Sequence, residues 1–189
     1  MRYRSVAFML LPIALGSCSP SNEHTLAGHT FVVPKLNDTS SDTLFFLPTP
    51  DPRDGFSFIL NPDARLPDQV RVLIGSKARD CARAAGTKAD IIQTICPSRA
   101  LEWRDVALKR VGNRTFWNYE LPATTSQKDA AVVARCSEMG TRADPKPGLC
   151  LATLPYKNLT ISIGFRDNQA TVIQSLYDRV VNDLRQWER

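Results

Sequence analysis

The chain has only two histidines, His24 and His29, both near its start. A serine or cysteine triad would have to recruit His29, and no Gly-x-Ser-x-Gly elbow accompanies it. His-Glu-x-x-His is missing, and so is any Cys-x-x-Cys knuckle, which removes the usual zinc frameworks. Nine glycines are too scattered to build a phosphate loop or a dinucleotide fingerprint. No apolar run approaches the roughly 20 residues of a permanent membrane-spanning helix. The sequence is therefore read as non-enzymatic, with no catalytic, cofactor-binding or metal-binding residues.

What is present is ordinary globular material. Of the 189 residues, 43% are apolar and 23% charged, enough for one domain with its own core. The formal charge is +5, but its distribution is uneven. Glu23 to Asp68 holds seven acids and three bases, and Arg71 to Arg99 holds six bases and two acids. Sign-segregated surfaces of this kind orient charged partners. No aromatic and basic interleaving supports nucleic acid as that partner.

The first residues carry an address. Met-Arg-Tyr-Arg precedes an apolar run of 11 residues, Val6 to Gly16, closed by small residues. That is the layout of a secretory signal peptide, and the run, which contains Pro12, is too short to span a bilayer. Leu15-Gly16-Ser17-Cys18 resembles the lipobox of bacterial lipoproteins. The resemblance implies cleavage before Cys18 and acylation of that cysteine. Ser19 in the next position, by the same resemblance, implies sorting to the outer membrane, with the domain facing the periplasm. The expected organisation is a signal peptide over 1–17, a lipidated polar tether over 18–27 with His24 solvated in it, and one globular domain over 28–189. Removing Arg2 and Arg4 with the leader lowers the formal charge to +3.

The other four cysteines, Cys81, Cys96, Cys136 and Cys150, form an even set outside the cytoplasm and read as two disulfides. Three connectivities are possible. The local one, Cys81 with Cys96 and Cys136 with Cys150, is expected here, each pair closing a loop of about 15 residues worth about 3 kcal/mol.

Periodicity gives the elements. His29–Pro34, Thr43–Leu47, Gly55–Leu60 and Gln69–Ile74 read as strands, followed by a helical stretch or two between Ser76 and Ser98. Trp103–Val111 and Arg114–Leu121 flank a Gly112-Asn113 turn. Val132–Glu138 and Leu149–Leu154 are joined by a polar loop, Gly140–Gly148, and Asn158–Arg166 alternates again. Ile173, Leu176, Val180, Leu184 and Trp187 form one stripe of a helix of about five turns over Asn168–Trp187, with Asp167 as its N-cap. The class is α+β: antiparallel sheet, a long C-terminal amphipathic helix packed on one face, and two disulfides.

An exported, stapled domain without visible catalytic residues reads as a binding protein. Cys150-Leu-Ala-Thr-Leu-Pro-Tyr156-Lys-Asn-Leu159-Thr-Ile-Ser-Ile-Gly-Phe165, followed by the long helix ending near Trp187, resembles periplasmic immunity lipoproteins of type VI secretion systems. That resemblance covers about 40 residues and implies a protein partner, a secreted toxin or lytic enzyme whose cleft is occluded. The loops Gly140–Gly148 and Ser76–Ser98 are the expected binding surfaces. Two alternatives stand beside it. Leu60-Asn-Pro-Asp-Ala-Arg65 and Gly164-Phe-Arg-Asp167 resemble phrases of a type VI outer-membrane lipoprotein subunit, which implies an assembly component. A cell-envelope hydrolase using paired carboxylates is the other, since such pairs leave no distinctive spacing.

Overall fold

Alternating apolar residues through the second half of the chain build a broad antiparallel sheet. The structure, a computed structural model, describes residues 22–40, 54–85, 95–96, 106–123, 130–140 and 144–189. Its strands are β1 (Glu23–Leu26), β2 (His29–Val32), β3 (Gly55–Ile59), β4 (Arg71–Ser76), β5 (Lys109–Gly112), β6 (Phe116–Leu121), β7 (Ala131–Gly140), β8 (Pro145–Tyr156) and β9 (Leu159–Arg166). The helices are α1 (Lys77–Ala84) and α2 (Ile173–Trp187), the latter entered through a 3-10 turn, Asp167–Val172. β1 and β2 form a separate hairpin, and the other strands make a seven-stranded sheet in the order β3-β4-β9-β8-β7-β6-β5. Every neighbouring pair runs antiparallel. The α+β class expected from the sequence is the fold observed.

Directly opposed residues share a face in antiparallel pairing, so the register identifies the core side. One row runs Phe58, Val72, Ile163, Ala152, Ala134, Tyr119 across six strands. All but Tyr119 in this row are buried. α2 covers this side with Ile173, Val180, Val181 and Leu184 buried and Leu176, Tyr177 and Trp187 partly so. The stripe read from the sequence is therefore the packed one. Its first turn is not α-helical: Asp167–Val172 winds as 3-10, which shortens the helix proper to 15 residues. The β1–β2 hairpin completes the core with Phe31, fully buried, its ring 5.4 Å from that of Phe56.

Three sequence expectations need correction. The tether does not extend to Ala27: Glu23–Leu26 pairs with His29–Val32, and Leu26 is buried. Ala27 and Gly28, both at positive φ, make the tight turn that allows the pairing. The polar loop Gly140–Gly148 is mostly strand, because β7 runs to Gly140 and β8 starts at Pro145. The strand foreseen from Trp103 begins only at Lys109 among the described residues. Thr43–Leu47 lies outside the described residues, as do the leader and Cys18.

The second side of the sheet is only partly covered. α1 lies over the row Gly55, Gly75, Thr160, where the absence of a side chain at Gly75 admits Asp80. Asp80 accepts a hydrogen bond from the Thr160 hydroxyl, and Arg79 and Arg83 of the same helix pair with Asp54. β5 to β8 have no such cover among the described residues.

Candidate protein-binding surface

The cysteines pair as the local connectivity requires: Cys81 with Cys96 and Cys136 with Cys150. Cys136 and Cys150 are directly opposed on β7 and β8, with Cα atoms 4.0 Å apart. Both lie on the core side and are buried, so the bridge locks the register of the hairpin from beneath. Asp167 Oδ1 sits beside this pair, and the three donor atoms fall within 4.8 Å of one another. The two sulfurs are bonded together, which leaves no thiolate to ligate a metal. Asp167 is itself occupied, accepting 2.7 Å from the Tyr119 hydroxyl and 3.1 Å from Trp117 Nε1. Burial and this acceptor raise the Tyr119 pKa above its ordinary value.

Trp117 is sandwiched. Gly148 of β8 leaves room for its ring, since a Cβ there would stand 2.5 Å from Trp117. Arg110 of β5 lies over the ring, 4.1 Å from its centroid, as a cation–π cover. These contacts fix β5 and β6 against the stapled β7–β8 hairpin.

The outer face of that block carries the exposed apolar side chains. Phe116 is 65% exposed, Leu151 47%, Leu149 41%, Val111 37% and Met139 36%. Register places Phe116, Leu149, Val111 and Leu151 on one face: one row reads Phe116, Ser137, Leu149, Arg166, and the next Val111, Asn118, Arg135, Leu151, Gly164. Arg135, Arg166 and Lys109 interleave with the apolar residues on this face. Exposed apolar side chains interspersed with polar and cationic ones on a rigid sheet face suit a protein-docking surface. The signal was present in β8 as Leu149-Cys150-Leu151-Ala152, apolar on both strand faces where a solvated sheet should alternate.

Of the two surfaces read from the sequence, Gly140–Gly148 thus contributes the end of a rigid hairpin. Within Ser76–Ser98, α1 and the described Ile95 and Cys96 are fixed to the sheet side, Ile95 fully buried. Residues 86–94 and 97–98 are outside the described set.

Neither histidine is free. His24, expected to be solvated, stacks on Phe56 at 4.8 Å and bonds Asp38 at 2.9 Å. Burial pushes the Asp38 carboxyl up, but hydrogen bonds from Ser40 and His24 outweigh it and hold it below its ordinary value. His29 faces acceptors with both ring nitrogens, Glu188 at 2.5 Å and Asn158 at 2.7 Å. Lys157 also binds Glu188, at 2.8 Å, so the β8–β9 turn, the first hairpin and the C-terminus close on one another. Lys157 first and His29 second keep the Glu188 carboxyl below its ordinary value.

No protein-family model and no curated protein matches the chain. Among solved structures it is similar to an immunity protein of the Stenotrophomonas maltophilia type IV secretion system. The identity is 9% and the TM-score 0.49, over 89% of this chain and 93% of that one. At that identity and score nothing is transferred from that protein to this one.

Proposed function

We propose that the chain is an envelope lipoprotein that works by binding a protein partner, an immunity or inhibitor protein that occludes a secreted toxin or lytic enzyme in the periplasm. The observation that carries the reading is the exposure of Phe116, Leu149 and Leu151 on one sheet face held rigid by the Cys136–Cys150 bridge. A rigid patch loses little conformational entropy on docking, which favours tight and specific association. Arg135, Arg166 and Lys109 beside it suit a partner with acidic groups around its cleft. Acylation at Cys18, outer-membrane sorting and a type VI origin for the toxin rest on the lipobox Leu15-Gly16-Ser17-Cys18 and on the likeness of Cys150–Trp187 to type VI immunity lipoproteins.

The test is co-expression in the periplasm. A secreted lytic enzyme encoded beside this chain should kill cells alone, and full-length protein should rescue them and co-purify with the enzyme. Phe116→Ser with Leu151→Ser should abolish rescue while leaving the melting temperature unchanged. Unaltered killing with no recovered complex would sink the immunity reading, and co-purification with envelope subunits instead would favour the assembly alternative.

A further inference from the structure

Two leucines are more exposed than any other large apolar residue among those described: Leu36 at 80% and Leu66 at 76%. Neither belongs to the patch on β5 to β8. Leu36 lies in the turn that follows β2, where the amides of Asn37 and Asp38 donate to the Pro34 carbonyl at 2.9 and 3.0 Å. Leu66 lies in the β3–β4 connection, which Asn61 braces by bonding Asp68 O and the Val70 amide. Both turns adjoin the end of β3. Asn37 exchanges hydrogen bonds with Ile59 in both directions, each 2.8 Å, and Leu60 bonds Val70 at 2.9 Å.

Asn22, four residues after Cys18, is held beside this corner. Val33 N donates to Asn22 O at 3.0 Å, and the Asn22 amide donates back to Val33 O. Asn22 is therefore fixed beside the residue that precedes the Pro34 turn. From Cys18 to Asn22 there are four peptide steps, which cannot exceed about 14 Å even fully extended. An acyl group on Cys18 would hold Asn22, and the Val33 strand end bonded to it, within about that distance of the bilayer surface.

We propose that the Leu36–Leu66 corner docks on the lipid bilayer, the two leucines entering the interface beside the acyl anchor. The proposal rests on the reading that Cys18 is acylated. Charge plays a small part, because Lys35 and Arg65 are offset by Asp63 and Asp68, the last paired with Arg65 at 2.9 Å, and Glu23 is offset by Arg189. Contact by apolar insertion should therefore be insensitive to the fraction of anionic lipid. The arrangement orients the domain. β3 lies nearest the membrane corner, and β8 and β6 are three and five strands away in the sheet order, roughly 14 and 24 Å at the usual strand spacing. The docking face is thereby displaced along the sheet from the membrane corner.

The experiment uses full-length protein, purified from the envelope and reconstituted into phosphatidylethanolamine vesicles with varied phosphatidylglycerol. An environment-sensitive fluorophore is attached to Lys35→Cys, Arg65→Cys or, as a reference, Lys109→Cys, and intact mass reports acylation at Cys18. Expected are blue-shifted emission and quenching by headgroup-nitroxide lipid at positions 35 and 65, not at 109, unchanged by phosphatidylglycerol. Introducing Leu36→Ser and Leu66→Ser should abolish the shift without altering the melting temperature. Water-like emission at 35 and 65 in protein whose Cys18 is acylated would overturn the docked corner alone. A mass showing no acyl group would overturn the anchor and this inference with it. A shift that needs added protein instead of lipid would assign the corner to a second copy.

Discussion

Asp167 stands one residue before Asn168, where the sequence suggests an N-cap, yet its carboxylate spends its lone pairs on Trp117 and Tyr119 of β6. The cap position of the 3-10 turn falls to Arg166, whose amide donates to the Gln169 side chain at 3.0 Å. Asp167→Ala strands two partly buried donors, and a loss of about 2–3 kcal/mol is expected in chemical denaturation. Two acids of the C-terminal helix region should respond to pH with opposite signs. Glu188 is held below its ordinary value of 4.5, so its contribution is present above that value and lost as pH falls through the depressed one. Glu188→Gln should lower the melting temperature at neutral pH, and the difference should close in acid. Asp183 is raised above its ordinary value of 3.8 by burial, with Arg179 opposing, so its penalty grows as pH rises through the raised value. Asp183→Asn should raise the melting temperature at neutral pH and do nothing near pH 3. Residue partners of this kind are not legible in sequence. His24 and His29 differ from solvated histidines through Asp38, Phe56, Glu188 and Asn158, the last two 159 and 129 positions away from His29.

At the level of elements the sequence is far more readable, because period-2 and period-3.6 patterns are local. β9 and the stripe of α2 were legible in the side chains that pack, Ile161, Ile163 and Phe165 against Ile173, Val180 and Leu184. Ends were less so. β7 and β8 extend beyond their apolar stretches because backbone pairing continues through Met139 with Lys146 and Gly140 with Pro145, where side-chain hydropathy gives no warning. The first hairpin was hidden for the same reason, since Glu23, His24 and Thr25 look like tether until they pair with β2. Leu184 is fully buried at the helix–sheet contact, and Leu184→Ala should cost about 2–5 kcal/mol by unfolding. Replacing Cys136 and Cys150 by alanine opens a loop spanning 14 positions and should cost about 3 kcal/mol. The same change should weaken partner binding, because the strands that carry Leu149 and Leu151 then lose their fixed register.

Taken whole, the molecule divides its sheet into two working sides. The core side is packed by α2 and the first hairpin, and the other side carries α1 at the β3–β4 end, while no element among the described residues covers the β5–β8 block. The sequence marked the cysteines of that block but not Phe116, whose exposure depends on which face the register assigns it. Exposed side chains can be exchanged without loss of fold, so binding and stability should separate at this patch. The direct measurement is titration calorimetry of the purified domain with the lytic enzyme encoded beside it, for the parent and for Phe116→Ser with Leu151→Ser. The expected result is a one-to-one complex with a Kd below about 1 μM, weakened at least about tenfold in the variant at unchanged melting temperature. Equal affinity of parent and variant would contradict the docking face, and no heat of binding to either would contradict the immunity function itself.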